Sequence, residues 1–375
     1  MRSKYRIFKN IQDISLSEQD IFNYDSKILE NLLIDYTMTL KKRSESNDLT
    51  AIVNIFFATK NYENSVLDSD GNVITNGYSY NDEIKIDNIV NKPHRIIIPR
   101  LLKPKQTQKK RTKDNAEVFT PSWICNTQNN LIDEAWFGCK DVFNQEITNS
   151  DNTEHTWQPS IGKIDFPIND SEKTWQNYIE NNCLEICCGE APYLVSRYDT
   201  TTGKFIPINN RVGLLDRKMR IVSEHSETED EWYSLAEKAF KHTYGYEFQG
   251  DNLLIARENL FFTYIEYFID KFNNKDENGR YIPDSNGEFH VPTYSKLYQI
   301  SEIISWNLWQ MDGLRNVVPN SCSKVFETNV NGKQCQVICP ACQKNPKKDS
   351  KHIGTYCLIK DWQFDKIIQF RSLIN

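Results

Sequence analysis

The run Cys183-Leu184-Glu185-Ile186-Cys187-Cys188-Gly189-Glu190-Ala191-Pro192-Tyr193-Leu194 constrains this chain more than any other stretch. It reads as a buried strand that ends in a tight acidic turn. The apolar stretch stops at Gly189, where the missing side chain lets the backbone approach a ligand. Pro192 suits a first helical turn, so a helix is expected to begin there. Glu185 lies just inside the strand end, where a carboxylate meets a polar or cationic ligand group.

The region around this run, residues 175–313, alternates strand and helix patterns, which predicts a mostly parallel sheet covered by helices. An amphipathic helix over 231–242 is stopped by Gly245, and Tyr244-Gly245-Tyr246-Glu247-Phe248 follows as a short strand with an acidic end. Asp251 is positioned to cap a long helix that turns Leu253, Leu254, Ala256, Leu260 and Tyr264 inward. Residues 273–291, rich in Gly, Asp, Asn and Pro, read as a surface loop. A third strand is expected over 303–308, leading to Asp312-Gly313-Leu314. Glu185, Glu247 and Asp312 thus recur after three successive strands. Ligands of open α/β sheets bind outside the carboxyl ends of the strands, so the three carboxylates are expected in one crevice. A nucleoside with a free amine fits them: the second carboxylate accepts from ribose hydroxyls and the third from an adenine amino group. Solvated acidic strand ends are the bland reading of the same pattern. A dinucleotide fold fits worse, because no G-x-G-x-x-G occurs.

The chain has 375 residues, is 39% hydrophobic and 26% charged, and carries a formal charge of −6. That charge argues against a general nucleic-acid coat and leaves any DNA contact to a local basic patch or a partner. No apolar run approaches membrane-spanning length and the start, MRSKYRIFKN, lacks a secretion-signal core, so a soluble, cytoplasmic protein without membrane contact is expected. The ten cysteines are expected to be reduced thiols.

Residues 1–102 read as a small α+β region: a helix around 28–40, a strand-like 51–57, an Asp70-Gly71-Asn72 turn and a strand over 95–98 ending at Pro99. Residues 103–115 read as a basic linker. Its Lys109, Lys110, Arg111 and Lys113 are either solvated or contact double-stranded DNA through phosphates. Ala116-Glu117-Val118-Phe119-Thr120-Pro121 then turns sharply at Pro121 into a helical pattern, and a ligand is able to rest on Phe119. Residues 116–320 read as one α/β unit, and 321–375 as a cysteine-rich module with a final strand or helix.

In that module Cys339-Pro340-Ala341-Cys342, followed by His352 and Cys357, has the spacing of a structural zinc knuckle, with Cys322 as the replacement for His352. Buried thiols without metal are the alternative.

As an ordered set, Ala116-Glu117-Val118-Phe119-Thr120-Pro121, Leu184-Glu185-Ile186-Cys187-Cys188-Gly189-Glu190-Ala191 and Tyr244-Gly245-Tyr246-Glu247 resembles the adenine-N6 DNA methyltransferases of restriction-modification systems. The resemblance spans residues 116–313 and implies an α/β, Rossmann-like S-adenosylmethionine-dependent methyltransferase sheet with a zinc-knuckle insertion. It implies that Phe119, Thr120 and Pro121 close over S-adenosylmethionine, and that Glu185, Cys187, Cys188, Gly189, Glu190 and Ala191 form the first glycine-rich turn. Glu stands for the family's Asp, and Ala191 for its last Gly. Glu247, with Phe248 beside it, would hold the cofactor ribose, and Asp312 would face its adenine.

The family's catalytic Asn/Asp-Pro-Pro-Tyr/Phe tetrapeptide occurs nowhere in these residues; Asn345-Pro346 is followed by Lys347-Lys348. In the family it follows the next strand, which falls due about where the sequence stops. The resemblance therefore implies the cofactor-binding half of a split enzyme of a restriction-modification or phage-defence system. No catalytic residue is assigned to this chain, and a second subunit would carry the catalytic loop, target recognition and, in some systems, a nuclease. A non-catalytic, zinc-containing scaffold or DNA-binding adaptor is the other class of reading. A methyltransferase acting on a small molecule, a protein or RNA stands behind both.

Overall fold

The computed structural model describes residues 15–46, 54–57, 65–67, 73–75, 82–93, 95–115, 117–149, 155–168, 170–328, 332–343 and 351–374, with Phe8 and Asp151. The Asp70-Gly71-Asn72 turn, Ala116 and residues 51–53 lie outside this set.

Among the described residues the first three helices are α1 (Glu18–Tyr24), α2 (Ser26–Leu33) and α3 (Tyr36–Glu45). The single helix expected over 28–40 is thus two, because Asp35 leaves the helix and caps the next one, its Oδ1 accepting from Met38 N at 3.0 Å. A hairpin, β1 (Ser65–Leu67) and β2 (Val73–Thr75), and a single helical turn, α4 (Ile86–Ile89), follow. Residues 95–98 form no strand; Ile97 is buried in the core beside the central helices instead. The expected basic linker is a helix, α5 (Lys105–Asn115), and α6 (Ser122–Phe137) begins directly after Pro121. A second hairpin, β3 (Asn144–Thr148) with β4 (His155–Pro159), and the short α7 (Trp175–Ile179) lead to the sheet.

The sheet has three parallel strands in the order β5 (Cys183–Ile186), β6 (Thr243–Glu247) and β7 (Leu308–Gln310), with Glu185 opposite Gly245 and Glu247 opposite Gln310. The first crossover contains α8 (Leu214–His225) and α9 (Glu229–Lys241), the second α10 (Gly250–Phe272) and α11 (Tyr294–Asn307). The fold is mixed α/β, with helical crossovers and small sheets. Every residue of α10 from Gly250 to Ile269 is buried, as expected of a helix walled in on all sides.

No helix starts at Pro192. Glu185 accepts from the backbone N–H groups of Tyr193 and Leu194, and Ala191 sits at φ +63°, so the chain turns there and reaches its helix only at Leu214. Residues 303–307 are the last turns of α11 and only 308–310 are strand, since a short apolar run does not distinguish the two by periodicity. Gly245 does not stop a helix either. It lies within β6, where an added Cβ would stand 3.4 Å from Cys188 Sγ. Asp251 is the second residue of α10, behind Gln249 as the capping position. Residues 273–291 run in turns with one isolated bridge, between Lys275 and Tyr281.

The first hundred residues share the main core: Ile21, Ile28, Leu29, Leu32 and Leu33 pack in one cluster with Leu253, Phe261, Ile300 and Ile304. Arg257 of α10 fastens the two regions. Its buried guanidinium donates to the carbonyls of Leu32 (2.8 Å) and Ile34 (3.0 Å) on one side and of Ser305 (2.9 Å) and Leu308 (2.9 Å) on the other. The last residues form β8 (Phe326–Thr328) with β9 (Gln334–Gln336), and β10 (Leu358–Asp361) with β11 (Lys366–Gln369). Ile359 and Phe370 join Tyr246, Trp309, Met311 and Cys357 in a second apolar cluster on the sheet face bearing Tyr246 and Trp309. Among the described residues, no helix is long and apolar enough to cross a membrane.

Candidate functional site

Three features meet at the carboxyl ends of the parallel strands. The turn after β5 alternates left-handed residues, Cys187 at φ +51°, Gly189 at +55° and Ala191 at +63°, which folds the backbone tightly over the strand end. Two of these are not glycine, so the turn holds strain. Glu247, at the end of β6, accepts from the N–H of Gly189 at 2.9 Å and of Gln249 at 3.0 Å, locking the first turn onto the second. Asp312, just past β7, accepts from Leu314 N and from the Arg315 guanidinium at 2.8 Å.

The three carboxylates share one electrostatic neighbourhood. Burial pushes Glu185 well above the carboxylate range and Glu247 adds to this; burial lifts Glu247 itself from 4.5 to about 7 against the pull of its two backbone N–H donors. Cys187 is exposed between them. Its thiol is raised first by partial burial and then by the charges of Glu247 and Asp312. Glu185 and Glu247 therefore act on each other at the strand ends, and burial favours the protonated form of both.

Phe119 closes one side. Its ring lies against Gly189, where an added Cβ would be 3.5 Å from the ring edge, and the Arg100 guanidinium lies 5.3 Å from the ring centre. Thr120 faces inward through its carbonyl, which accepts from Thr200 Oγ1 at 3.0 Å, and Pro121 introduces α6, whose Ser122 N–H donates to Asp199 at 2.7 Å.

The remaining turn residues have structural tasks. Cys188 and Ala191 are fully buried beneath the turn. Glu190 points away from the crevice and accepts from Tyr198 Oη and from Arg100 N, both at 2.7 Å, with burial raising its carboxyl. Phe248 is half-buried and gives its carbonyl to Gln310 Nε2 at 2.9 Å.

Arg111 is corrected as a DNA-phosphate residue. It is buried, and it ties the Phe119 segment to the Glu247 turn: its Nε donates to Glu117 at 2.6 Å and its Nη1 to Asp251 at 2.8 Å, and Lys103 Nζ also donates to Asp251 at 3.1 Å. These cations hold Asp251 well below the usual carboxylate range despite its burial. Lys109, Lys110 and Lys113 are exposed on α5. Nothing in a run of basic residues marks the one that turns inward, since Asp251, which it meets together with nearby Glu117, lies 140 residues along the chain.

A second constellation lies beyond Asp312. Cys322, Cys339, Cys342 and His352 bring their ligand atoms within 4.8 Å of one another and could hold a metal ion. His352 Nδ1 stands 3.7, 3.6 and 3.4 Å from the sulfurs of Cys322, Cys339 and Cys342 in turn. Burial works against ionisation of Cys339, but hydrogen bonds led by the Ile353 N–H bring its thiol down to about 6, toward the thiolate that metals take. Cys357 is not a member. It is fully buried in the second apolar cluster, its Sγ bonded to Gln310 O at 3.5 Å, and burial keeps it a thiol. Cys322 thus takes the place of Cys357 and not that of His352. Gly354 makes this possible: an added Cβ there would be 2.8 Å from Cys322 Sγ.

The module is coupled to the crevice through the backbone. Asp312 N donates to Val317 O at 2.9 Å, Val318 N to Thr355 O at 2.8 Å and Cys357 N to Asn316 O at 3.1 Å, so the loop bearing Asp312 is stitched to the chain that carries His352.

No protein-family model, curated protein or solved structure matches this chain. The functional reading rests on the residues themselves. Arg100, Asp199 and Gln249, which shape the crevice from outside the three motifs, carry no sequence signal of that role.

Proposed function

We propose that the crevice binds S-adenosylmethionine and that the chain is the cofactor-binding subunit of a DNA adenine-N6 methyltransferase of a restriction-modification or phage-defence system. The observation that carries this reading is the packing of Phe119 on Gly189 between the Glu185 and Glu247 strand ends. It joins three motifs that lie at 116–121, 184–191 and 244–247 in the sequence. Glu247 spends two acceptor positions on Gly189 and Gln249 and, when ionised, keeps others for the paired hydroxyls of a ribose. Asp312 offers an acceptor to an exocyclic amine, and Phe119 an apolar ring. In this reading the sheet is the first half of a Rossmann-like methyltransferase sheet.

S-adenosylmethionine, when bound, supplies the activated methyl group. This chain's residues would capture and orient it, which lowers the entropic part of the barrier. The flipped adenine would be held by an Asn-Pro-Pro-Tyr loop on a partner polypeptide, and the partner would also select the DNA site. Calorimetric titration of the purified chain tests the proposal. Weak S-adenosylmethionine binding that falls at least about tenfold in Glu247→Ala, a loss of about 1.4 kcal/mol, is expected, with no DNA methylation by the chain alone. Absence of cofactor binding overturns the proposal, and methylation by the single chain overturns the split.

We further propose zinc, in a structural role, for the Cys322, Cys339, Cys342 and His352 cluster. A tetrahedral zinc with Zn–S of about 2.3 Å and Zn–N of about 2.0 Å sets sulfur and nitrogen about 3.5 Å apart, which the three measured separations match. Four protein ligands would leave no open coordination position. One observation favours the scaffold reading: both Glu247 oxygens already hold backbone N–H groups, as a purely structural carboxylate would. In that case Glu247→Ala destabilises the fold while no form of the chain binds cofactor.

A further inference from the structure

Strand β5 is an edge of its sheet: among the described residues its only strand neighbour is β6. Parallel sheets are ordinarily buried on both faces, and exposed edges are ordinarily blunted by charge, proline or a bulge. Neither holds over Cys183–Ile186. Leu184 and Ile186 are 43% and 64% exposed, and the strand's one charge, Glu185, points inward. A cavity flanks the strand on each face. Cys183 and Leu184 line both: one, of about 260 Å³, is walled also by Tyr244, Trp309, Trp362 and Phe370 with Lys360 and Asp361, the other, of about 230 Å³, by Ile132, Trp136, Tyr178 and Leu214 with Asp133 and Lys218.

We infer that this edge receives a parallel β-strand from a partner polypeptide. An extended strand meets the unpaired backbone of β5 with its own and sends alternate side chains to opposite faces, one set into each cavity. The cavities therefore ask for large apolar residues at alternate positions. A second copy of this chain fits poorly. A two-fold pair would align β5 antiparallel to itself and bring only its own four residues, Cys183 to Ile186, against the edge, with no large aromatic side chain for the cavities. Direction follows from the site. Only a parallel strand ends at the carboxyl edge of the sheet, beside Gly189 and Glu247, and delivers the residues after it toward them. This inference rests on the crevice being the functional site, and it gives the partner of the proposed function its route of approach.

Panning a phage-displayed library of random peptides of about eight residues against the full chain tests it. Enriched peptides should alternate apolar residues and bind at least about tenfold more weakly to each of Leu184→Lys and Ile186→Lys, both at exposed positions that tolerate lysine. A nitroxide on the peptide's carboxyl end should broaden the amide signals of Gly189 and Glu247; broadening at Asn182 instead overturns the orientation. Enriched peptides without alternation, binding indifferent to both substitutions, or a dimer in sedimentation that Ile186→Lys dissolves overturns the docking. S-adenosylmethionine titration of the same proteins separates the two proposals. Cofactor binding without edge-dependent peptide binding removes only the docking, and edge-dependent peptide binding without cofactor binding removes only the proposed function.

Discussion

Glu247 gives the protein a pH dependence whose size follows from its surroundings. Burial raises its carboxyl from 4.5 to about 7 in the folded chain, whereas in the unfolded chain it titrates near the ordinary value. Between those two pH values the folded state holds a proton that the unfolded state has released. Its contribution is therefore fully present below about pH 4.5 and is lost as pH rises through about 7. At about 1.36 kcal/mol per pH unit the whole loss is about 3 kcal/mol, of which about 2.5 kcal/mol falls between pH 5 and 8. Burial raises other acids too, Glu185 and Glu18 among them, so the measurement is a difference. Urea unfolding of the wild type and of Glu247→Gln is followed at intervals from pH 5 to 9. The stability of the wild type relative to the variant should fall by about 2.5 kcal/mol by pH 8 and level off above it. A difference that stays flat within about 0.5 kcal/mol would refute the argument that burial outweighs the two backbone donors. A rise with pH would show an ionised group stabilised by its donors.

The other predictions concern the network around the crevice and the metal cluster. Arg111→Ala removes one of the two cations that Asp251 meets and the hydrogen-bonded cation of Glu117 in a buried site and should cost about 3–5 kcal/mol in urea unfolding, whereas Lys109→Ala, on the exposed side of α5, should stay within about 0.5 kcal/mol. Gly213→Ala places a Cβ 2.2 Å from the Leu194 carbonyl oxygen; neither backbone can yield cheaply, and a lowered melting temperature or insoluble protein is expected. Zinc measured by mass spectrometry on untagged protein should be about one equivalent in the wild type and in Cys357→Ser, and should be lost in Cys322→Ser. Retention in Cys322→Ser with loss in Cys357→Ser would reverse the ligand assignment.

Legibility in the sequence follows the range of the forces involved. The apolar run into Gly189, the acidic end of β6 and the Cys339-x-x-Cys342 turn are set by neighbours in the chain, and all three appear where the sequence places them. Third-strand boundaries were harder, because Ile303-Ile304-Ser305-Trp306 is apolar enough for either conformation and only packing against α2 decides for helix. The start of the helix after β5 was displaced by a side chain: Glu185 takes the two N–H groups that Pro192 would have placed in a first turn. For the fourth ligand of the cluster, Cys322 and Cys357 stand at comparable distances along the chain, and the choice lies in an apolar pocket around Cys357 assembled from four separate segments. Arg111 is the extreme case, a buried cation whose partners lie up to 140 residues away.

Arg257 has a consequence for anyone who would take this protein apart. The boundary near residue 102 that composition suggests is not a place to cut. A fragment beginning there would present to water a guanidinium that had its Leu32 and Ile34 carbonyls removed, and the apolar side of α11 that α2 had covered. Such a fragment begins life as a core mutant, so a lost activity in it would say nothing about what the first hundred residues do. Single substitutions on the outer surface of α1 to α3 keep that core closed, and they are the cleaner way to ask.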